Sequence, residues 1–318
     1  MVSFSQFRNQ FCEQMKRWGV YFKERFPLLR HGLLIAAFSS CAIAFSSLLP
    51  PASPLPSWKC FFVAFVSCFG FFLQLRIADE FKDFEEDRAF RPYRPVPRGL
   101  VTLAELRILF AILAVIQFGL ALWLQPGLLY LLLITWSYLA LMSVEFFARN
   151  WLKSHPITYL WSHMLIMPLV DLYATACQWM TMRPGIPSGL GWFLFLSFTN
   201  GMVIEVGRKI RMPEKEEAGV PTYSKLWGRK RAAFTWLCLL VVTDLAALFA
   251  SHRTGYWWLT ALLLPIPLFF AINHTRRFLV TEKLPAEAGT RFELWSGVWT
   301  LSLYFTLGLL SLIVHALH

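Results

Sequence analysis

The sequence predicts an all-α membrane protein with nine transmembrane helices around a central cavity. Three observations carry that expectation. First, its 318 residues are 57% hydrophobic and 17% aromatic with only 15% charged, too apolar for an ordinary soluble domain. Second, apolar runs recur at 31–49, 58–78, 106–124, 127–147, 157–180, 188–206, 232–251, 255–273 and 293–317, each near the roughly 20 residues that cross a bilayer as a helix. Third, the 30 Lys and Arg divide unevenly between the two sides. With the N-terminus placed in the cytoplasm, only Lys59, Arg183 and Arg253 fall on the opposite side, leaving 27 cytoplasmic. The positive-inside rule demands such a bias. The chain is thus expected to be an integral, multi-pass protein whose C-terminus lies on the side opposite its N-terminus.

The formal charge of +11 then reads as orientation and contact with anionic lipid. Nucleic-acid binding would want a soluble basic face, which is absent. The six cysteines form no CxxC pair and read as small core residues. Residues 1–30 form a cytoplasmic amphipathic segment, ahead of a membrane domain at 31–318. They set Phe4, Phe7, Phe11, Trp18 and Phe22 among Arg8, Lys16, Arg17, Lys23 and Arg25, as an interfacial anchor helix does. No cleavable signal is expected there. Between spans, PASPLPS (51–57), QPG (125–127), RPGIPSG (183–189) and HRTG (252–255) read as tight turns.

Ionisable groups concentrate after the second and sixth spans. Residues 76–99 read RIADEFKDFEEDRAFRPYRPVPRG. Asp79, Asp83 and Asp87 are spaced i, i+4, i+8, which stacks three carboxylates along one helical face. Orientation does not explain them, since acids contribute little to topology. Mg²⁺ favours carboxylate oxygens together with substrate phosphates, so the series is a candidate metal site. A plain helix face neutralised by neighbouring arginines is the alternative. Pro92, Pro95 and Pro97 stiffen the following elbow, Gly99 frees it for a turn, and Thr102 with Glu105 fits a capping box.

Nine spans, an acidic DxxxD motif after the second, a downstream Arg94-Pro95…Gly99 and a second polar motif after the sixth together resemble the UbiA superfamily of intramembrane prenyltransferases. The family's first motif, Asn-x-x-x-Asp-x-x-x-Asp, falls on Asp79, Asp83 and Asp87, with Asp in place of Asn. The resemblance implies Mg²⁺ held by these three residues and transfer of a prenyl group from an isoprenoid diphosphate to an acceptor in the membrane. It is weaker at the second motif, NGMVIEVGRKIRMPEKEEAGVPTYSKLWG (200–228). Glu205 remains, but Arg208, Lys209 and Arg211 stand where further acids are expected. Either these cations and Arg94 neutralise the leaving diphosphate, or Glu205 and Lys209 are simply an i, i+4 pair. Glu214, Glu216 and Glu217 are spare ligand candidates, and Tyr223 is a candidate phosphate contact.

Within or beside the spans, Asn200, His163 and Glu145 are candidates for the polar lining of the cavity, and His163 for an acceptor-side base. Asp171, eight residues beyond His163, lies too far along the helix to pair with it. Two other members' activities stay open: phosphosugar transfer to a polyprenyl phosphate, which the rich basic set would suit, and terpene cyclisation. A lipid-binding or transport protein is the non-enzyme alternative.

Overall fold

The computed structural model describes residues 4–51, 54–182, 185–217, 219–281 and 285–317, so parts of the expected turns at 51–57 and 183–189, Arg183 among them, lie outside the described residues. Helices run in the order α1 (Phe4–Arg25), α2 (Leu28–Leu48), α3 (Trp58–Lys82), α4 (Phe84–Phe90), α5 (Leu103–Leu124), α6 (Leu128–Ser143), α7 (Arg149–Ser154), α8 (Pro156–Met164), α9 (Ile166–Met182) and α10 (Leu190–Arg208). They continue as α11 (Tyr223–Trp227), α12 (Arg229–Thr254), α13 (Trp257–Leu263), α14 (Pro265–Val280), α15 (Thr290–Phe305) and α16 (Ser311–Leu317). No strand occurs among the described residues.

Among the described residues, eight segments are long and apolar enough to cross a membrane: α2, α3, α5, α8 with α9, α10, α12, α13 with α14, and α15 with α16. The expected fourth crossing, 127–147, contracts to α6, whose 16 residues give about 24 Å, short of a hydrocarbon core of about 30 Å. The backbone itself stops the helix. Glu145, Phe146 and Phe147 follow with φ of 52°, 51° and 58°, a left-handed turn built without glycine. Two crossings are interrupted internally. Leu165 separates α8 from α9, and a five-residue π-helical turn, Thr306–Leu310, joins α15 to α16.

Helix α10 lies among α9, α12 and α15, and α2 packs on α3, α9 and α15. Lipid gives little hydrophobic drive between helices, so close backbone approach matters. At Gly308, a Cβ would stand 2.4 Å from the carbonyl oxygen of Cys41, so only glycine fits this crossing. Aromatic pairs fill the remaining space, Phe45 stacking on Phe193 with centroids 4.5 Å apart.

The N-terminal segment is more than the surface anchor expected of it. Buried Glu80 of α3 takes an ion pair from Arg25, Glu24 pairs with Arg98 at 3.0 Å, and Arg17 pairs with Glu105. Tyr21 is fully buried beneath. Helix α1 is therefore strapped across the elbow that follows the acidic motif. Phe4, Phe7 and Phe11 lie outside the side chains described.

Candidate active site

Helix α3 ends at Lys82, and Asp83 (φ −98°, ψ 6°) bends the chain into α4. The ladder survives the bend: the Asp83 amide donates to Asp79 O at 2.9 Å and the Asp87 amide to Asp83 O at 2.8 Å. The three side chains nevertheless differ in their partners. Buried Asp87 is paired with Arg91 at 2.5 Å and with Arg94 at 2.6 Å. Asp79 lies 3.6 Å from Arg76 and 3.5 Å from Lys82, too far for well-formed hydrogen bonds. Asp83 has no ion pair among the described residues. Burial, partly offset by Lys82, raises its carboxyl above the ordinary aspartate range.

No group of three or more His, Cys, Asp or Glu among the described residues is arranged to hold a metal. The reason is local. The turn that ends α4, with the Arg91 amide on Asp87 O at 2.8 Å and the Arg94 amide on Arg91 O at 3.0 Å, carries Arg94 back onto Asp87. Arg94, expected at a diphosphate, and Asp87, expected at a metal, thus satisfy each other. Asp79 and Asp83 keep open carboxylate oxygens. The downstream capping box is present, with the Glu105 amide donating to Thr102 Oγ1 at 3.3 Å and the Thr102 amide to Glu105 Oε2 at 2.8 Å.

The second motif is folded upon itself. Glu205, nearly buried, takes Arg208 Nε at 2.5 Å and Lys209 Nζ at 2.9 Å. The i, i+4 pairing is thus real, and it holds both cations beside the mouth. Arg211 departs from its expected role: it pairs with Glu293 of α15 at 3.1 Å. Glu216 is no spare ligand either. It accepts from the Thr222 hydroxyl at 2.6 and 2.7 Å and from the Ser224 hydroxyl at 2.9 Å, which shapes the turn into α11. That turn, tied down by the Tyr223 amide donating to Lys209 O at 3.0 Å, brings the Tyr223 ring to 5.7 Å from Lys209 Nζ. Burial pushes the Tyr223 phenol well up from its ordinary value.

A third group joins the two motifs. Lys82 Nζ donates to the Tyr159 hydroxyl at 3.1 Å and lies 3.6 Å from Glu145 Oε1. Tyr159 in turn donates to Glu145 at 3.2 Å, and His163 Nε2 lies 3.3 Å from the other Glu145 oxygen. The His163 ring stacks on Tyr159, with centroids 3.9 Å apart, and Lys209 Nζ is 5.9 Å from the other Tyr159 contact surface, its ring centroid. Left-handed backbone costs roughly 1–2 kcal/mol per residue outside glycine, and the turn at 145–147 is what aims Glu145 inward. Burial alone would raise the Glu145 carboxyl; the close approach of His163 and the charge of Lys82 reverse this and hold it below the ordinary range.

The structure therefore gathers Asp79, Asp83, Glu205, Arg208, Lys209, Tyr223, Glu145 and His163 at one end of the bundle. It sets Asp87 and Arg94 beside that end as a self-contained pair, turns Arg211 away, and leaves Asn200 deeper, bonded to Thr300. Sequence reasoning passed over Lys82, Tyr159 and Glu80. Lys82 had a signal, as the one cation inside the acidic run; Tyr159 stands one turn before His163 and showed its value only in space.

An apolar helical bundle with loosely paired carboxylates and caged cations gathered at one mouth defines an integral membrane protein with a charged site at the end of its bundle. The chain belongs to the UbiA prenyltransferase family, whose model matches residues 34–297. No curated protein sequence matches it. Among solved structures it is similar to an apo UbiA homologue from Aeropyrum pernix K1, at TM-score 0.65 and 14% identity over 90% of this chain and 98% of that one. It is similar to digeranylgeranylglyceryl phosphate synthase, at TM-score 0.58 and 18% identity over 92% and 98%. A UbiA homologue from Archaeoglobus fulgidus bound to DMAPP and Mg²⁺ matches at TM-score 0.53 and 12% identity, over 88% and 97%. At such identities the likeness is one of fold.

Proposed function

We propose that this protein moves a prenyl group from an isoprenoid diphosphate to a membrane-accessible acceptor in a Mg²⁺-dependent reaction, with its active mouth on the cytoplasmic side. One observation carries the reading: Asp83 has no ion pair among the described residues and Asp79 is held only loosely, at 3.5–3.6 Å, by Lys82 and Arg76, while Arg208 lies within electrostatic reach of Asp79. Mg²⁺ is bound through one or two carboxylates plus substrate phosphates, so this donor set fits without Asp87. The metal, when bound, supplies neutralisation of the diphosphate as it leaves.

The chain's own residues do the rest. Asp79 and Asp83 hold the metal. Lys82, Arg208 and Lys209 meet diphosphate charge, at the expense of their contacts to Asp79 and Glu205. The Tyr159 and Tyr223 rings, with centroids 5.9 and 5.7 Å from Lys209 Nζ, favour its charged head there. Asp87 fixes Arg91 and Arg94 and thereby the elbow above the site. The apolar bundle takes the isoprenoid tail and excludes water from the reacting carbon.

The test is turnover. Purified protein with Mg²⁺, membrane lipid extract and a panel of prenyl and sugar diphosphates is followed by released diphosphate and by product mass. Prenylated product from a prenyl diphosphate supports the proposal. Product from a sugar diphosphate alone, or cyclised isoprenoid without acceptor, would replace it with phosphosugar transfer or cyclisation.

A further inference from the structure

A second polar cluster lies inside the bundle, away from the mouth. Asp171 of α9 is wholly buried and accepts a hydrogen bond from the Tyr304 hydroxyl of α15 at 2.6 Å. Asn200 of α10, also buried, accepts one from Thr300 of α15 at 3.1 Å. Thr300 and Tyr304 stand one turn apart on α15. Ser197, one turn from Asn200 on α10, places its hydroxyl beside Asp171 and Tyr304 without a hydrogen bond of good geometry. Three helices thus converge on one point.

The cluster is incomplete. Asp171 Oδ1, Ser197 Oγ and Asn200 Nδ2 are buried with no hydrogen-bond partner. An unmet buried polar atom is destabilising, and an ionisable residue inside a membrane span marks function more often than packing. Asp171 Oδ1 accepts, Asn200 Nδ2 donates, and Ser197 Oγ can do either. A single group that answers both is a hydroxyl, donating to Asp171 and accepting from Asn200. A ligand carboxylate or phosphate would place its charge against Asp171, and an ammonium would leave the amide unmet.

The surroundings suit a ligand that enters from lipid. Asn200 lies five residues before Glu205 and Asp171 eight beyond His163, so the cluster sits roughly 8–12 Å deeper than the mouth. Gly201 faces the side chains of Met164 and Met167, which flank the Leu165 break, and unbranched thioethers repack readily. The π-helical turn begins two residues after Tyr304; such turns recur at functional sites.

We propose that Asp171, Ser197 and Asn200 bind the hydroxyl group of a long-chain apolar ligand, and that this ligand is the acceptor, anchored here by its hydroxyl with its reacting atom nearer the mouth. The second half rests on the prenyl-transfer reading; the first does not. The test heats purified full-length protein in detergent with hexadecanol, with hexadecane, or with neither. Hexadecanol is expected to raise the unfolding temperature by a few degrees over hexadecane, as selective binding to the folded state must. Asn200→Ala and Ser197→Ala are expected to lose that increment. Ser197→Ala, nearly isosteric, keeps the test sound should Asn200→Ala fail to fold. Equal shifts from alcohol and hydrocarbon, or an undiminished increment in both variants, would overturn the site and leave the cluster holding water alone. Mg²⁺-dependent diphosphate release from a prenyl diphosphate is read on the same preparations. Its absence beside an intact alcohol response removes the acceptor role and keeps the hydroxyl site; its presence without an alcohol response removes the site and keeps the transferase.

Discussion

The two polar motifs at the mouth treat their charges in opposite ways. After α3, acids outnumber what their neighbours neutralise: Asp87 is fully claimed by Arg91 and Arg94, but Asp79 is only loosely paired and Asp83 has no ion pair among the described residues. After α10, a single buried acid, Glu205, holds two cations at hydrogen-bond distance. The first motif is a site waiting for positive charge; the second is a reservoir of positive charge held in check. On the proposed reading the difference divides labour: metal on one side, arginine and lysine on the other.

The largest effects should come from the open side. Asp79→Ala and Asp83→Ala are each expected to lower Mg²⁺-dependent diphosphate release by about 10²–10³-fold, the range seen when an electrostatic contact to a reacting group is removed. Asp87→Ala should cost less activity and more stability, since it strips a partner from two arginines. If Asp87→Ala equalled the other two in turnover at an unchanged unfolding temperature, the division drawn between these aspartates would fail.

On the closed side, Lys209→Ala should raise the KM for the prenyl diphosphate by about tenfold, equivalent to about 1.4 kcal/mol. Glu205→Gln should lower that KM, because it releases Arg208 and Lys209. A rise in KM for Glu205→Gln would instead make Glu205 a ligand.

The strap from α1 bears on stability before chemistry. Arg25 is mostly buried and Glu80 almost wholly so. Breaking such a pair from one side costs about 3–5 kcal/mol, whereas replacing both partners with apolar residues can be neutral. Arg25→Met should therefore lower the unfolding temperature sharply, and Arg25→Met with Glu80→Leu should restore much of it. The smallest effect lies at the left-handed turn. Phe147 is 84% exposed with φ 58°, so Phe147→Gly removes strain and little contact, and should stabilise by up to about 1 kcal/mol.

Much of this was legible beforehand because the bilayer is a demanding solvent. Every backbone group must be bonded within the segment, so an apolar run of sufficient length is a helix, and α2, α3, α5, α10 and α12 stand where hydropathy put them. The run at 127–147 misled for a conformational reason: nothing in Glu145-Phe146-Phe147 announces a left-handed turn, since Gly and Asn are the residues that usually do. The acidic spacing at 79, 83 and 87 was correct along the backbone and misleading at the side chains. Periodicity says which residues share a face; it does not say which arginine folds back to claim one of them.

The sequence by itself determined the membrane class, the family, the placing of charge at one mouth, and the two helical ends that build it. Those follow from composition and period, which act locally along the chain. Only the tertiary structure decided which charges are spent and which are open. Asp87 is closed by Arg91 and Arg94, Arg211 by Glu293, Glu80 by Arg25 from 55 residues away, and Glu145 is joined to Lys82 and His163. Each of those pairings depends on distances between helices or across an elbow, and in a buried, low-dielectric site a difference of one or two ångströms separates a neutralised pair from a free ligand.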